Sequence, residues 1–309
     1  MTMKRAFVTG VTGYIGGSVA EGLRRKGFSV VGVVRHPADA ARISALGIET
    51  VVGGLEDSAL LARLAREADV TVNAADSDHR GAAEALVGAL KGTNKTLVHT
   101  SGSSIVADEG TGAASERVFE DTTPFTPVPQ KVARVAIDRL VRDSAREGVR
   151  SIVVCPTMIY GNGLGAKRDS AQVPLLIRES SRRQAGVHIG PGLNVWSNVH
   201  IEDLTELYLL VIEKAPPGSF FFAEHGEAAL KDIASAISRM MGWGGKTFRW
   251  ELADAIQAIG EETARYGLAS NSRVRATEGK KLGWTPRHTS LLRDIESGSY
   301  REAFGPASR

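Results

Sequence analysis

The feature that most restricts the fold of this chain is a glycine-rich turn at residues 9–16, TGVTGYIG. An apolar stretch at 5–9 precedes it, and apolar residues at helical spacing follow it. Gly10 permits a tight turn, Gly13 lets the backbone approach a phosphate group, and Gly16 lets the helix pack closely on the strand. The exposed amides of a helix N-terminus bind anions. The pattern therefore predicts a strand–turn–helix unit that binds the pyrophosphate of a dinucleotide.

Short apolar runs alternate with amphipathic stretches through the first half of the chain. The predicted strands lie at 5–9, 29–34, 49–52, 70–74, 96–100 and 151–155. Helices are predicted after the glycine turn and at 38–46, 58–67, 81–90 and 132–146. Uniformly apolar strands joined by helices are typical of a parallel sheet covered on both faces. The predicted fold class is therefore α/β, a doubly wound Rossmann sheet.

The rhythm changes after residue 160, where a glycine-rich loop occupies 161–171. Helices are predicted at 173–182, 203–214 and 230–241, and extended segments at 195–201 and 220–223. We predict a dinucleotide-binding domain over 1–160 and a mainly substrate-binding region over 161–309, with 195–215 returning to the Rossmann core. Ligands of open α/β folds bind at the carboxyl edge of the sheet, where this region is expected to lie.

Composition argues against several classes of partner. The net charge is +3, but basic residues are interspersed with acidic ones, which argues against a nucleic-acid groove. The single cysteine, Cys155, allows no intrachain disulfide and fits a reducing compartment. No apolar run has the length of a membrane span or the character of a signal peptide. We expect a cytoplasmic protein without membrane or nucleic-acid partners and, since the seven histidines lack metal-ligand spacing, without a metal.

The end of the second predicted strand indicates which dinucleotide binds. An acidic residue there normally accepts from the ribose hydroxyls of NAD, but this chain has Arg35 and His36 instead. A guanidinium suits the 2′-phosphate of NADP(H), and His36 is placed to assist. We therefore predict that NADP(H) is preferred over NAD(H). The alternative is a surface arginine that binds no ligand.

Several segments resemble the extended short-chain dehydrogenase/reductase family, the NAD(P)-dependent epimerase/dehydratase type. The glycine turn matches that family's TGxxGxxG, and 72–75 and 99–104 resemble its fourth and fifth strands. CPTMIYG at 155–161 resembles "RPxxVYG", and NVHIEDL at 198–204 resembles "xVHVxDL". The resemblance covers nearly the whole chain. It implies hydride transfer on a small-molecule substrate, and a homodimer is possible because dimers are common in this family.

The resemblance also implies a cofactor site along the ends of the strands. Its predicted members are Thr9, Gly10, Thr12, Gly13, Tyr14, Ile15, Gly16, Arg35, His36, Leu55, Ala74, Ala75, Thr100, Ser101, Lys131, Arg134, Pro156, Met158 and Ile159.

The chain departs from the family at the acid/base. The family uses a Tyr four residues before a Lys, on the helix before the sixth strand, where the phenol exchanges a proton with the substrate. If Asp138 takes the place of the family's following glutamate, Arg134 holds the lysine position and Gln130 the tyrosine position. Alternatively, Lys131 holds the lysine position, and the tyrosine position four residues earlier then falls at Pro127, which is chemically inert. Gln130 donates hydrogen bonds but does not titrate.

Other residues are candidates for the missing acid. The family's serine after the fifth strand falls at Gly102, between Ser101 and Ser103, whose hydroxyls either polarise a carbonyl or satisfy turn backbone. Tyr160 and His200 are further candidates, each with packing or structural hydrogen bonding as its alternative role. The predicted catalytic set is Ser101, Ser103, Gln130, Arg134, Tyr160 and His200.

Two functions follow from this reading. The first is an NADP(H)-dependent oxidoreductase, either a reductase or an epimerase/dehydratase-like enzyme, which acts on a small carbonyl or hydroxyl compound without the usual tyrosine. The alternative is an NADP-binding regulatory or sensor protein without turnover, in which a partner surface replaces the active site. Oxidation of NADPH by a panel of aldehydes and ketones distinguishes the two.

Overall fold

Strands and helices alternate along the chain, and the computed structural model describes residues 4–306. The strands are β1 (Arg5–Thr9), β2 (Ser29–Val34), β3 (Glu49–Val52), β4 (Val70–Asn73), β5 (Thr96–Thr100), β6 (Phe119–Glu120), β7 (Arg150–Pro156), β8 (Met158–Tyr160), β9 (Gly186–Ile189), β10 (Val195–His200), β11 (Ser219–Ala223), β12 (Glu227–Ala229), β13 (Thr247–Trp250) and β14 (Val274–Arg275). The helices are α1 (Tyr14–Arg25), α2 (Pro37–Ser44), α3 (Ser58–Glu67), α4 (Arg80–Leu90), α5 (Val132–Asp143), α6 (Gln172–Arg183), α7 (Ile201–Lys214), α8 (Leu230–Met240), α9 (Leu252–Ile259), α10 (Thr277–Lys281), α11 (Leu291–Ser297) and α12 (Ser299–Phe304). A π-helical segment covers Glu262–Ala269, and 3-10 turns cover Ser103–Val106, Pro129–Lys131 and Ser144–Glu147.

Seven strands form one parallel sheet in the order β11-β7-β5-β4-β1-β2-β3. β1 lies between β2 and β4, and all three run in the same direction. The order of the strands therefore reverses beside β1, which opens a crevice at the carboxyl ends of β1 and β4. The predicted fold class, an α/β doubly wound Rossmann sheet, is confirmed.

The sheet is buried on both faces because its strands are apolar at successive positions. Ala6 and Val8 point into a core shared with α1 and α7, while Phe7 points into the opposite core, shared with α3, α4 and α5. Neighbouring residues of a strand face opposite sides of a sheet, so a strand covered on both faces must be apolar throughout. This explains why the central strands are recognisable from sequence.

The C-terminal part has a second core. Two small sheets, β12-β10-β8 and β13-β9, contribute to it, whereas the third, β14-β6, packs in a separate cluster with Phe222 of β11. The apolar side chains of the second core come largely from α6, α8 and α11, with Trp250 from β13. The region meets the large sheet at its carboxyl edge, because β8 follows the end of β7 after one residue, Thr157, and pairs with β10.

The predicted elements agree with the structure to within a few residues. Strand β3 and helix α3 have the predicted bounds, whereas α5 ends three residues early, where the 3-10 turn Ser144–Glu147 continues it. Helix α7 packs in the core of the large sheet, and β11 also joins that sheet although it lies well beyond residue 160. The division of the chain at residue 160 stays a prediction. Within residues 4–306, no helix is both long and apolar enough to cross a membrane.

Candidate active site

The glycine turn connects β1 to α1 at the reversal of strand order. Gly10 has a φ of +73°, and a side chain there would lie 2.7 Å from the carbonyl oxygen of Ala74. A side chain on Gly16 would lie 2.4 Å from the carbonyl oxygen of Gly10. Gly13 differs, because its Cβ would meet only Gly10 O, at 3.0 Å, within 4 Å. The first and third glycines are thus required by the fold, while the second leaves one side of the turn open.

Helix α1 begins at that open side. Gly13 is its N-cap, no described side chain caps the helix, and its first turn has no acidic residue. The amides of the first turn are therefore available to an anion, and the helix dipole favours negative charge at this end. This donor set and the open face of Gly13 fit the pyrophosphate of a dinucleotide.

Thr9 links β1 to β4 beneath the turn. Its hydroxyl donates to Asn73 Oδ1 at 2.8 Å and accepts from the amides of Ala74 and Ala75 at 3.0 and 3.2 Å. The side chain is 1% exposed, so its role in the structure is to hold the two strand ends together.

Arg35 and His36 follow β2 at the same edge, and both are exposed. Within residues 4–306, no ion pair engages Arg35, whereas the nearby Arg42 pairs with Asp39 at 2.8 Å. An exposed guanidinium without an acidic partner is available to a phosphate.

The remaining predicted cofactor residues are distributed along the sheet edge. Leu55 lies beyond β3 and packs on the α3–α4 side of the core, and the Thr100 hydroxyl is bonded to Tyr208 within the protein at 2.7 Å. Pro156 and Met158 are buried, whereas Thr12, Ile15 and Ile159 are half-buried. Tyr14 donates from its hydroxyl to the carbonyl of Gly161 at 2.8 Å, which joins α1 to the loop after β8.

The start of α5 carries the residues predicted at the positions of the family's Tyr and Lys. Gln130 is exposed in the 3-10 turn Pro129–Lys131, whereas Lys131 is buried and ion-paired with Glu262. Arg134 donates through Nε to Asp78 Oδ1 at 2.8 Å and through Nη1 to the Ser104 hydroxyl at 3.0 Å. These hydrogen bonds from Arg134 hold the pKa of Asp78 below its usual range.

Gly102 explains how Arg134 fits beside β5. A side chain on Gly102 would lie 3.3 Å from Nη1 of Arg134, closer than an ordinary van der Waals contact. The guanidinium therefore occupies the space next to the position where the family has its serine. An arginine at the predicted lysine position is therefore sterically compatible with a glycine at the predicted serine position.

The two predicted serines are both engaged in buried hydrogen bonds. Ser101 donates to Asp138 Oδ2 at 2.7 Å, and the Ser103 hydroxyl accepts from Ser272 at 2.8 Å. Ser101 is 5% exposed and Ser103 is 1% exposed. Both hydroxyls are thus engaged within the protein, and their catalytic roles stay a prediction.

A buried polar network lies below Ser101. Asn73 donates through Nδ2 to His99 Nδ1 at 3.1 Å, so neutral His99 carries its proton on Nε2. That nitrogen lies 3.7 Å from Asp138 Oδ1, and both atoms are buried without a partner among the described residues. Burial raises the pKa of Asp138 to about 7 and lowers the pKa of His99 to about 4. Both side chains therefore favour their neutral forms.

Tyr160 and His200 lie in a different place. They line a small pocket of about 220 Å³ whose other walls come from residues 288–298, with none from α5 or the glycine turn. Tyr160 donates to the carbonyl of His288 at 3.1 Å, and burial raises the pKa of its phenol. Burial lowers the pKa of His200. The structure does not bring these two candidates together with Ser101, Gln130 and Arg134.

The same pocket contains a cluster that resembles a metal site. The ligand atoms of His200, Glu202 and His288 lie within 4.8 Å of one another, and the two imidazoles stack at 3.7 Å. However, His200 Nδ1 accepts from the amide of Glu202 at 3.2 Å, which leaves the proton of the neutral ring on Nε2. To ligate through Nε2, the ring would have to give up its cap on α7. We therefore assign no ion to this cluster.

Comparison with known proteins identifies the family. The model of the NAD dependent epimerase/dehydratase family matches residues 6–221. The chain belongs to this family. The resemblance inferred from the sequence motifs is thereby confirmed, and the protein is an enzyme of the NAD-dependent oxidoreductase and epimerase/dehydratase class.

Curated relatives include an oxidase and a ketoreductase. An uncharacterized protein of Schizosaccharomyces pombe is 29% identical over 315 residues, which cover 96% of this chain and 99% of that protein. Oxidase ucsJ of Acremonium sp. is 28% identical, with 97% of this chain and 98% of that protein covered. The 4-hydroxy-2-methyl-3-oxo-4-farnesyl-3,4-dihydroquinoline-1-oxide ketoreductase of Stigmatella aurantiaca is 29% identical, with 72% and 68% covered.

Solved structures of enzymes named for sugar nucleotides share the fold at low sequence identity. The dTDP-glucose 4,6-dehydratase of Bacillus anthracis, in complex with NAD, has a TM-score of 0.76 at 17% identity, covering 97% of this chain and 96% of that one. The UDP-glucose 4-epimerase of Thermotoga maritima, with UDP-glucose, has a TM-score of 0.73 at 17% identity, covering 94% and 96%. At this identity, the likeness extends to the fold alone.

Sequence reasoning missed the partners that the C-terminal part supplies to α5. Glu262 pairs with Lys131 across 131 residues, and the Lys131 ammonium lies 5.5 Å from the centroid of the Tyr266 ring. Asp78 is also absent from the predicted site, although it accepts hydrogen bonds from Arg134. No local pattern marks such contacts, because they depend on how distant elements pack.

Proposed function

We propose that the protein is an NADP(H)-dependent reductase that acts on a small carbonyl compound without the usual tyrosine acid. The observation that carries the proposal is the uncapped first turn of α1 beside the open face of Gly13. The relationship to a ketoreductase over 72% of this chain supports the direction of the reaction.

Three groups of residues would hold the cofactor. The amides of α1 would bind its pyrophosphate, and Arg35 with His36 would bind its 2′-phosphate. Arg134, which stands in the family's lysine position, would donate to the ribose next to the nicotinamide and keep Asp78 as its acidic partner. When bound, the cofactor would supply the hydride that reduces the substrate's carbonyl carbon.

Substitution of Arg35 tests the cofactor preference. NADPH should bind at least about ten times more tightly than NADH, because a hydrogen bond to a charged group contributes about 1.5–3 kcal/mol. Arg35→Asp should remove or reverse this preference, since the carboxylate repels the phosphate and accepts from ribose hydroxyls. Titration with both cofactors, followed by nicotinamide fluorescence, measures the two dissociation constants. The preference of the wild type should decrease at high salt, because Arg35 is exposed.

Arg42→Asp provides the matched control. It makes the same change of charge on α2, but Arg42 pairs with Asp39 and follows the strand end by eight residues. This variant should keep the preference for NADPH. Equal affinities of the wild type for NADPH and NADH would show that Arg35 does not bind the cofactor.

Oxidation of NADPH by a panel of aldehydes and ketones tests the reaction itself. Turnover of at least one carbonyl compound is expected from the purified protein. NADPH binding without turnover of any of them would overturn the reductase assignment.

A further inference from the structure

Carbonyl reduction needs an acid, because the electron pair of the broken C=O π bond remains on the oxygen and must take up a proton. Most candidates from the sequence are unsuited to that role. The Ser101 and Ser103 hydroxyls are buried in bonds with Asp138 and Ser272. Gln130 does not titrate, and Tyr160 lines the separate pocket beside His288.

We propose that Tyr266, held beside Lys131, is the proton donor to the substrate carbonyl, an inference that rests on the proposed reductase function. Tyr266 belongs to the π-helical segment Glu262–Ala269. Its side chain is 4% exposed, yet its hydroxyl has no hydrogen-bond partner among residues 4–306 and is not a fully enclosed atom. A phenol packed by its ring and open at its oxygen is available to a ligand.

Two links bring this phenol to the edge of the large sheet. Lys131 precedes Arg134 by three residues and shares its side of the helix, so it lies one turn nearer the N-terminus of α5. The hydroxyl of Ser272, three residues after the π-helical segment, lies within hydrogen-bond distance of the carbonyl and the hydroxyl of Ser103, in the 3-10 turn after β5. The Tyr266 ring is thus held against the start of α5, and the chain that follows it is held against the turn after β5.

Charged groups of both signs surround the phenol. Lys131 lies over its ring, and Arg265 is the other nearby cation, whereas the nearby carboxylates are Glu109, Glu261 and Glu262. Burial raises the pKa of Tyr266, Arg265 opposes this shift, and the carboxylates add to it. The phenol is therefore protonated at neutral pH, which is the form from which a general acid donates.

In the proposed step, Tyr266 supplies the proton and the nicotinamide supplies the hydride. The O–H bond of Tyr266 breaks, and the proton forms the O–H bond of the product alcohol. The substrate carbonyl is reduced while the nicotinamide is oxidised. The phenolate then regains a proton from water, so the residue returns unchanged.

Replacement by phenylalanine tests the proposal in the full-length protein. Tyr266→Phe should lower kcat by about a hundred- to ten-thousandfold with the carbonyl compound that the wild type reduces best, which is the usual range for loss of a general acid. The dissociation constant for NADPH and the melting temperature should stay unchanged, because the hydroxyl has no protein partner. Tyr300→Phe is the matched control, since it removes a buried phenol that is bonded to Ser170, and it should retain the wild-type kcat.

A second measurement needs no turnover. In the unreactive complex with NADP⁺ and the same carbonyl compound, the phenol should hydrogen-bond to the carbonyl oxygen. The ultraviolet difference spectrum of tyrosine should appear in the wild type and in Tyr300→Phe, and be absent in Tyr266→Phe. If the wild type reduces carbonyl compounds and Tyr266→Phe keeps its kcat and its spectrum, the assignment of Tyr266 is wrong while the proposed function stands. If the wild type reduces no carbonyl compound, the proposed reductase function is wrong, and with it the role of Tyr266 as proton donor.

Discussion

Gly13→Val is expected to weaken NADP(H) binding at least about a hundredfold and to leave the protein folded. The backbone at Gly13 has a φ of −85°, which any residue adopts, and the only atom within 4 Å of a new Cβ is Gly10 O at 3.0 Å. The larger side chain would occupy the open face where the pyrophosphate must approach the amides of α1. Loss of two charge-assisted hydrogen bonds, at about 1.5–3 kcal/mol each, amounts to roughly two decades or more in affinity. Fluorescence titration measures the affinity, and thermal unfolding measures the fold.

Substitutions at two other glycines distinguish an effect on cofactor binding from an effect on folding. Gly16→Val should lower the melting temperature, because its side chain would lie 2.4 Å from the carbonyl oxygen of Gly10 inside the turn. Gly88→Val, on the exposed side of α4 with no atom within 4 Å, should change neither property strongly. Wild-type affinity in a folded Gly13→Val protein would contradict the assignment of the pyrophosphate site.

The large sheet was predictable because its physical requirements repeat along the sequence. Each central strand is buried on both faces and must be apolar throughout, and each covering helix must carry an apolar stripe. Gly10 and Gly16 carry additional information, because the space around them excludes any other side chain. These constraints act over neighbouring residues, so they are visible in the sequence without knowledge of the tertiary contacts.

The candidate site was less predictable because its contacts join distant parts of the chain. Ser101 and Ser103 are the right residue type near the right strand, but only the structure reveals that Asp138 and Ser272 engage their hydroxyls. Tyr266 lies in a segment without a recognisable motif, and its proximity to Lys131 follows from the packing of the C-terminal part on α5. The place of β11 in the sheet depends on such long-range packing as well.

Asp138→Asn is expected to change how stability depends on pH. Burial raises the pKa of Asp138 from 3.8 to about 7, so the native state holds this proton more tightly than the unfolded state. From pH 3.8 to about 7, the free energy of unfolding contributed by Asp138 therefore falls as pH rises. Burial lowers the pKa of His99 from 6.5 to about 4, so its contribution rises with pH over the overlapping range. In the wild type the two slopes largely cancel between pH 4 and 6.5.

The substitution removes only the first of these slopes. Relative to the wild type, the unfolding free energy of Asp138→Asn should increase by about 1.4 kcal/mol per pH unit between pH 4 and 7, on the order of 4 kcal/mol in all. Urea unfolding at pH 4, 5, 6, 7 and 8 measures this difference.

Asp78→Asn is the control with the opposite sign. Hydrogen bonds from Arg134 lower the pKa of Asp78, so its ionised form stabilises the native state. That contribution is present above the carboxyl's ordinary pKa and is lost as pH falls through the lowered value. Asp78→Asn should thus be less stable than the wild type at pH 7, with a difference that disappears in acid.

Parallel stability curves for Asp138→Asn and the wild type from pH 4 to 8 would contradict the Asp138 prediction. They would mean that the Asp138 carboxyl is ionised at neutral pH, stabilised by His99 across their 3.7 Å separation.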